Sequence, residues 1–446
     1  MTVVIVGAGL AGLSCARELV RAGRDVLVLE REPDVGGRVR SRLVDGYVVD
    51  RGFQVLFTAY PTLRAALQLG DGGDERLALR RFLPAARVGA APGAGLVGDA
   101  LRDPTLLFPT LAARALPAAD LLRLAALRRL ARRLSVDECF APAYDGRTAR
   151  DFLRARGFSA RAVDGFFAPF YGGILLDPTL AAAASVLLFT FKMLAEGDTA
   201  VPARGMGELS RALADALPAG SVRTNVGVAA LDVRDGRAAG VRTAAGETIA
   251  ADAVVLATEG DAAAALARAA GAPLDAPDAG PPLGCTTVYL AAREAPLPGR
   301  AIWLAPRPDA VIAHAVTLTE VAPEYATDAA RHGPHLLAAT AVAAAAREDD
   351  ATLVREARQA VAAWRAAARL APLPADALVP VAVERVPWSQ YPQPPGAAAR
   401  RASVTTPLAA LYRASEAAHT SSLEGAARGG VLAARAVELH NQGRES

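Results

Sequence analysis

Lysine is almost missing from this chain. Among its 49 basic residues only Lys192 is a lysine, a bias that reads as genomic composition before it reads as a site. Cysteine is nearly as scarce: Cys15, Cys139 and Cys285 are odd in number and far apart. They fit neither a disulfide framework nor a zinc spacing, which predicts a reduced, cytoplasmic protein. Five scattered histidines predict no metal site, and no Ser-His-Asp or Cys-His nucleophile pattern is visible. An excess of one charge is also lacking. A net charge of +3 argues against nucleic acid as a partner. No apolar run reaches membrane-spanning length, since the nearest, Leu180 to Phe191, stops at Lys192. Met1 leads straight into an apolar segment without a charged leader, so no signal peptide is expected. Aromatic residues make up only 5% of the chain, so a local concentration of them is informative.

What the chain does have is core. At 446 residues and 52% hydrophobic content it can bury two or three domains' worth of apolar surface. Its first stretch carries the clearest pattern. An apolar run, Val3-Val4-Ile5-Val6, breaks into Gly7-Ala8-Gly9-Leu10-Ala11-Gly12. A helical periodicity follows (Leu13, Ala16, Leu19, Val20) and stops at Gly23. A second apolar run, Val26 to Leu29, ends in Glu30. Strand, glycine turn, helix, strand and acid together predict a βαβ unit that binds an ADP-ribose group. Gly7 permits the tight turn, Gly9 admits a pyrophosphate to the backbone, and Gly12 lets the helix approach the strand. The helix start presents its positive end. Glu30 is placed to accept from ribose hydroxyls.

The chain continues Glu30-Arg31-Glu32-Pro33-Asp34-Val35-Gly36-Gly37-Arg38, then Asp50-Arg51-Gly52-Phe53-Gln54-Val55-Leu56. These segments resemble the FAD-dependent amine oxidase and phytoene desaturase superfamily, in its desaturase-related, protoporphyrinogen-oxidase-like branch. The resemblance implies an α/β fold: a Rossmann-type FAD-binding domain with an interleaved α+β substrate domain. It implies FAD contacts at Gly7, Gly9, Ala11, Gly12, Glu30, Arg31, Gly37, Arg38, Gly52 and Phe53. A backbone position near Val226 is expected beside the adenine. Physically, Gly36-Gly37 expose backbone donors, and the planar fork of Arg38 suits a phosphate.

Glycine and proline interrupt the chain after residue 80 (Gly70 to Gly73, Pro92-Gly93, Pro104, Pro109, Pro117), which suggests an exit from the first domain. We expect residues 1–80, 200–284 and 395–446 to form the FAD domain, and 81–199 and 285–394 the substrate domain. The segment Asp120 to Leu134 reads as a helix. Leu124, Leu127, Leu130 and Leu134 share one face, and Arg128, Arg129, Arg132 and Arg133 the other. It is either a surface helix on its own domain or a basic amphipathic helix in peripheral contact with anionic lipid. Phe166, Phe167, Phe170 and Tyr171 crowd one segment, either as a pocket wall or as core. Lys192 falls on a helix ahead of the return to the flavin domain at Val201 to Leu209. Further strands are expected over Val222 to Asp232, Ala251 to Thr258, Thr286 to Leu290, Ala301 to Leu304, Val311 to Val316, Leu336 to Val342 and 378–386, with a helix over Asp350 to Leu370. Trp388 and Tyr391 either face the isoalloxazine ring or pin the proline-rich linker.

The last motif is Ser415-Glu416 followed by Ser421-Ser422-Leu423-Glu424-Gly425. The resemblance places a ribityl-binding acid and a flavin-facing helix here, with Glu416 as the acid and Ser421 or Ser422 as the helix cap. The family's usual Gly-Asp is replaced by Ser415-Glu416. No covalent flavin is expected, since no cysteine follows Cys285. Three readings result. The first dehydrogenates, desaturates or isomerises a small apolar, polyene-like substrate at carbon, by hydride transfer to FAD. The second is an amine oxidase, whose branch commonly carries a lysine near the flavin; Thr286 to Leu290 and Ala301 to Leu304 have none. The third is a non-catalytic FAD-binding chain. No catalytic residue, electron acceptor or oligomeric state is assigned by the sequence.

Overall fold

The computed structural model describes residues 1–88, 95–113, 116–275, 280–374 and 376–445, with side chains through Leu439. Pro92-Gly93, within the expected domain exit, lies outside the described residues. The first strand, Thr2–Val6, lies inside a five-stranded parallel sheet. The order is Val222–Arg223, Asp25–Leu29, Thr2–Val6, Ala253–Leu256 and Leu411–Arg413. Val3, Val4 and Ile5 are fully buried, because both faces are covered and the strand reads apolar without alternation. Val3 and Ile5 pack with Leu13 and Ala16 of the helix Leu10–Arg21. Val4 and Val6 face a three-stranded antiparallel sheet (Val228–Arg234, Arg237–Thr243, Thr248–Ala250) and the helix Gly260–Ala269.

The C-terminal helix, Leu423–Glu445, lies on the first helix. Its contact is close because Gly430 has no side chain: a Cβ there would stand 2.1 Å from the Ala11 carbonyl oxygen.

The second sheet has seven strands, in the order Val379–Gln390, Leu283–Ala292, His335–Val342, His314–Thr317, Ile302–Leu304, Ala85–Val88 and Gly95–Gly98. Its pairs are antiparallel except that Ile302–Leu304 runs parallel to Ala85–Val88. Side chains alternate across it. Val288, Leu290 and Leu337 pack under the helix Asp350–Ala367, whereas Tyr289, Ala291 and Val316 turn toward the main core. Helices Ala118–Arg133, Ala168–Leu175 and Ala184–Glu196 close that second side.

Asp50 joins the halves. Its buried carboxylate accepts from Ser41 Oγ at 2.5 Å, Met206 N at 2.9 Å and Tyr325 Oη at 2.7 Å, and its carbonyl accepts from Tyr289 Oη at 3.0 Å. Desolvation raises its pKa above the usual carboxylate range, against the pull of those donors.

Several expected elements differ. The strand expected over Val222 to Asp232 is two strands in two sheets. Asn225 takes a φ of +56° and turns the chain from the parallel sheet into the antiparallel one. The strand expected over 378–386 runs through Pro387 to Gln390. It is an edge strand, where a residue without an N–H leaves no partner unsatisfied. Of Val311 to Val316, only the end from His314 is strand, continuing to Thr317.

Candidate functional site

A cavity of about 1170 Å³ opens at the carboxyl edge of the parallel sheet and continues between the two sheets. Its first part is built by the glycine turn. Gly7 has a φ of +107°, and a Cβ there would meet the Ala257 carbonyl oxygen at 2.8 Å. A Cβ at Gly12 would stand 2.0 Å from the Gly7 carbonyl oxygen, so that glycine sets how closely the helix approaches the strand. Gly9 is different: its φ is an ordinary −78°, and a Cβ there would meet nothing within 4 Å. The absent side chain leaves room on the cavity side. Gly36 donates its N–H to the Ala8 carbonyl at 2.8 Å, which seats the Gly36-Gly37 turn on the same wall.

Glu30 lies at the end of the second strand, 7% exposed. Its carboxylate accepts from the N–H of Ala8 at 2.9 Å and of Glu32 at 3.0 Å. Val226 donates its N–H to the Glu30 carbonyl at 2.8 Å, so the structure brings these two residues together at the cavity. Arg31 is largely exposed and ion-paired with Glu32 at 3.4 Å.

Arg38 lines the cavity. Its guanidinium meets both carboxylate oxygens of Glu416 at 2.8 Å and donates to the Ser389 carbonyl at 2.9 Å. Burial works to lower the Arg38 pKa, and the Glu416 carboxylate more than offsets it. The physical reason is mutual: Glu416 is 5% exposed, and a buried carboxylate needs a partner. The pair ties the Gly-Gly-Arg segment to the C-terminal motif.

The cap of the C-terminal helix is Ser422, whose Oγ accepts from Gly425 N at 2.9 Å. Ser421 instead accepts from Tyr391 N at 2.8 Å. Tyr391 packs edge-on against Trp388, centroids 5.4 Å apart, and both rings cover Gly260, where a Cβ would lie 2.4 Å from Tyr391 Oη. Desolvation, reinforced by the Glu416 charge, pushes the Tyr391 phenol up to about 12. Both rings line the cavity as well as holding the linker.

Beyond these groups the cavity becomes an apolar chamber. Phe166, Phe170 and Tyr171 line it, but Phe167 does not. Phe167 turns into the core against Phe158, so the segment is part wall and part core. One helical turn cannot point every side chain the same way. Gly52 and Phe53 form part of the opposite wall. Phe53 takes Thr287 Oγ1 as acceptor at 3.0 Å and packs on His314 at 5.2 Å.

His314 was not singled out by the sequence, because a lone histidine on a strand gives no spacing signal. It is buried in the chamber wall; desolvation lowers its pKa to about 4, and its Nε2 has no partner. Tyr171 Oη is likewise buried and unpartnered. Cys285, on the same wall, shares a contact of 3.2 Å with Ser389 Oγ.

Lys192 turns away from the cavity. Its Nζ donates to Glu196 Oε1 at 2.5 Å and reaches the Ala131 carbonyl at 3.5 Å. His419 is walled off too, packed on Phe140 and Phe189, and desolvation with nearby Arg401 lowers its pKa to about 3. Among the described residues no cluster of His, Cys, Asp and Glu could hold a metal ion.

A glycine cradle at the edge of a parallel sheet, leading into an apolar chamber under a second sheet, has the architecture of flavin amine oxidases. The chain belongs to the flavin-containing amine oxidoreductase family, whose sequence profile matches residues 10–438. It is similar to phytoene dehydrogenase of Streptomyces griseus, 43% identical over 94 residues, or 21% of this chain and 18% of that protein. It is also similar to putrescine oxidase of Kocuria rosea, 58% identical over 52 residues, 12% of this chain and 11% of that one. The matched stretches thus span under a fifth of these two relatives. Solved structures with the same fold include an oxidoreductase from Methanosarcina mazei, with a TM-score of 0.69, 22% identity and coverage of 97% of this chain and 99% of that one. Cyclohexylamine oxidase from Brevibacterium oxydans gives a TM-score of 0.63 at 18% identity, covering 99% of each chain. The cofactor of this family is FAD.

Proposed function

We propose that the protein is an FAD-dependent oxidoreductase that dehydrogenates, desaturates or isomerises a small apolar molecule at carbon. The carrying observation is the chamber. Its wall of Phe166, Phe170, Tyr171 and Phe53 is apolar, and no lysine lines the cavity; the carboxylates of Glu259 and Asp261 line it only at the sheet edge, beside Gly260 under Trp388 and Tyr391. Asp99 and Asp198, which also line the cavity, are already paired with Arg128 and Arg102. An ammonium substrate would enter such a chamber without a counter-charge, at a high desolvation cost.

The residues present fit FAD. The open side of Gly9, the donors of the Gly36-Gly37 turn and the start of the first helix would hold the pyrophosphate. Glu30 would take the ribose hydroxyls. Ser422 and the start of the C-terminal helix, which lines the cavity, would meet the flavin with the positive end of the helix dipole. When bound, FAD supplies the centre that accepts hydride from a substrate C–H bond. The chain's own part is to orient the substrate against the aromatic wall and to exclude water. The neutral imidazole of His314 and the Tyr171 hydroxyl, both buried in the wall without a partner, are able to hold a polar substituent.

Amine oxidation is the second reading, and the likeness to putrescine oxidase favours it. An anaerobic panel of polyenes, porphyrinogens and amines, read by bleaching of the flavin absorbance, separates the two. We expect an apolar substrate to bleach the flavin, Tyr171→Ala to slow that step at unchanged FAD content, and Lys192→Ala to leave it intact. Rapid bleaching by primary amines, with none by an apolar substrate, would overturn the proposal.

A further inference from the structure

Large apolar side chains on the surface are unevenly distributed. Among the described residues, Leu101, Leu107, Phe108, Leu111 and Leu122 are strongly exposed, and only Leu43, Val233 and Leu439 elsewhere match them. Phe108 is 80% exposed and Leu122 75%. The five form one neighbourhood. The helix Leu107–Ala113 packs on the edge strand Gly95–Gly98, where Gly98 N donates to Thr110 Oγ1 at 2.9 Å. The helix Ala118–Arg133 is held alongside by Arg128 Nε, which donates to Asp99 Oδ2 at 3.1 Å.

The same neighbourhood is where the chamber reaches the surface. Leu101, Leu107 and Leu111 are both exposed and part of the cavity wall, and Leu121 and Leu124 continue that wall inward. This changes the amphipathic reading of the helix. Leu127 is buried in the core and Leu124 faces the cavity. The outward stripe is Leu122, Ala126, Arg129 and Arg133, at helical spacing, with Arg132 beside it; all five are exposed. No acidic side chain pairs with Arg129, Arg132 or Arg133 among the described residues. Scattered exposed leucines need no explanation, but a contiguous apolar rim beside unpaired arginines does.

We infer that this rim is a docking surface for an anionic lipid bilayer, with Phe108 and Leu122 entering the acyl boundary and the arginines meeting the headgroups. Two observations choose lipid over a second protein. The arginines border the apolar rim, the order in which a bilayer presents its headgroups and chains. Leu101, Leu107 and Leu111 belong to both the rim and the cavity wall, so a protein partner seated there would cover that opening. A docked bilayer leaves it open to apolar molecules dissolved in the membrane.

The test is flotation of the full-length holoprotein with phosphatidylcholine vesicles, with and without phosphatidylglycerol, at low and high salt. It reads neither flavin nor turnover, so it stands or falls separately from the proposed chemistry. The protein should float with anionic vesicles and be released by salt. Phe108→Ser with Leu122→Ser, which touches only exposed positions, should weaken flotation by about tenfold or more, the scale of removing two buried apolar side chains. Arg129→Gln with Arg133→Gln should remove the preference for phosphatidylglycerol. Absence of the wild-type protein from the vesicle fraction would overturn the inference. So would a wild-type dimer in light scattering that the Phe108→Ser, Leu122→Ser variant converts to monomer, since the rim would then belong to a second copy.

Discussion

Two glycines three positions apart make opposite predictions. A side chain at Gly9 meets no neighbour, whereas one at Gly12 meets the Gly7 carbonyl oxygen. Gly9→Val should therefore fold with a melting temperature close to that of FAD-stripped wild type and fail to hold FAD, because its methyls would occupy the space proposed for the pyrophosphate. Gly12→Val should fail to fold. Flavin-to-protein absorbance after gel filtration, alongside thermal melts, checks both. Glu30→Ala removes an acceptor for ribose, each such charged bond being worth about 1.5–3 kcal/mol, and should leave folded protein with reduced FAD content. The buried histidines predict a pH effect. His314 and His419 are held neutral, their pKa values lowered from 6.5 to about 4 and about 3. Below the ordinary value the unfolded chain takes up protons that the fold refuses, so stability falls as pH drops. At about pH 5 the loss is about 2 kcal/mol for each histidine. Asp50 and Glu424 act in the opposite sense, since burial raises their carboxyls and the fold takes up their protons first. The measurement is thus a difference: His419→Gln should show a flatter melting temperature than wild type between neutral pH and about pH 5.

At the scale of elements, the helix starts carry the argument. Glu424 sits in the first turn of the C-terminal helix, yet its carboxylate crosses to another helix. It accepts from Thr62 N at 2.9 Å and Leu63 N at 3.2 Å, capping the helix Pro61–Leu67. The sequence showed an acid near a helix start; it did not show whose start. Glu424 is fully buried, so Glu424→Ala would strand two donors and lower stability by about 3 kcal/mol in urea unfolding. His419, the nearby side chain that could otherwise link a flavin covalently, packs on Phe140 and Phe189 and does not line the cavity. Acid precipitation should therefore release FAD to the supernatant, and flavin left on the pellet would contradict this. Element identity was legible wherever periodicity was long, as in the first βαβ unit and the helix Asp350–Ala367. It failed at Asn225, where a single residue with positive φ moves the chain from one sheet to another. It failed again at Pro387, because only pairing reveals that the strand is an edge.

At the scale of the molecule, the Asp50 carboxylate gathers donors from the glycine-rich half and from Tyr325 beside the seven-stranded sheet. Asp50→Ala should couple both losses, lowering thermal stability and FAD content together, whereas a purely local role would lower only one. The chamber lies between those halves, so its contents are a tertiary fact. Phe170 and Tyr171 were visible as a cluster of scarce aromatics. His314 was invisible, since its significance comes from facing Phe53, which precedes it by most of the chain.

The sequence by itself determined the glycine cradle, because its pieces are consecutive: glycine spacing, strand, helix and acid constrain one another through local backbone geometry. It also determined that Lys192 lies on a helix. Tertiary structure alone decided which way that lysine points, that Arg38 and Glu416 share one ion pair, that Phe167 is core while Phe170 is wall, and that the exposed Leu101, Leu107 and Leu111 meet at the cavity. These are choices of face and partner across hundreds of residues. Burial drives them, and burial rewards any apolar contact without naming which.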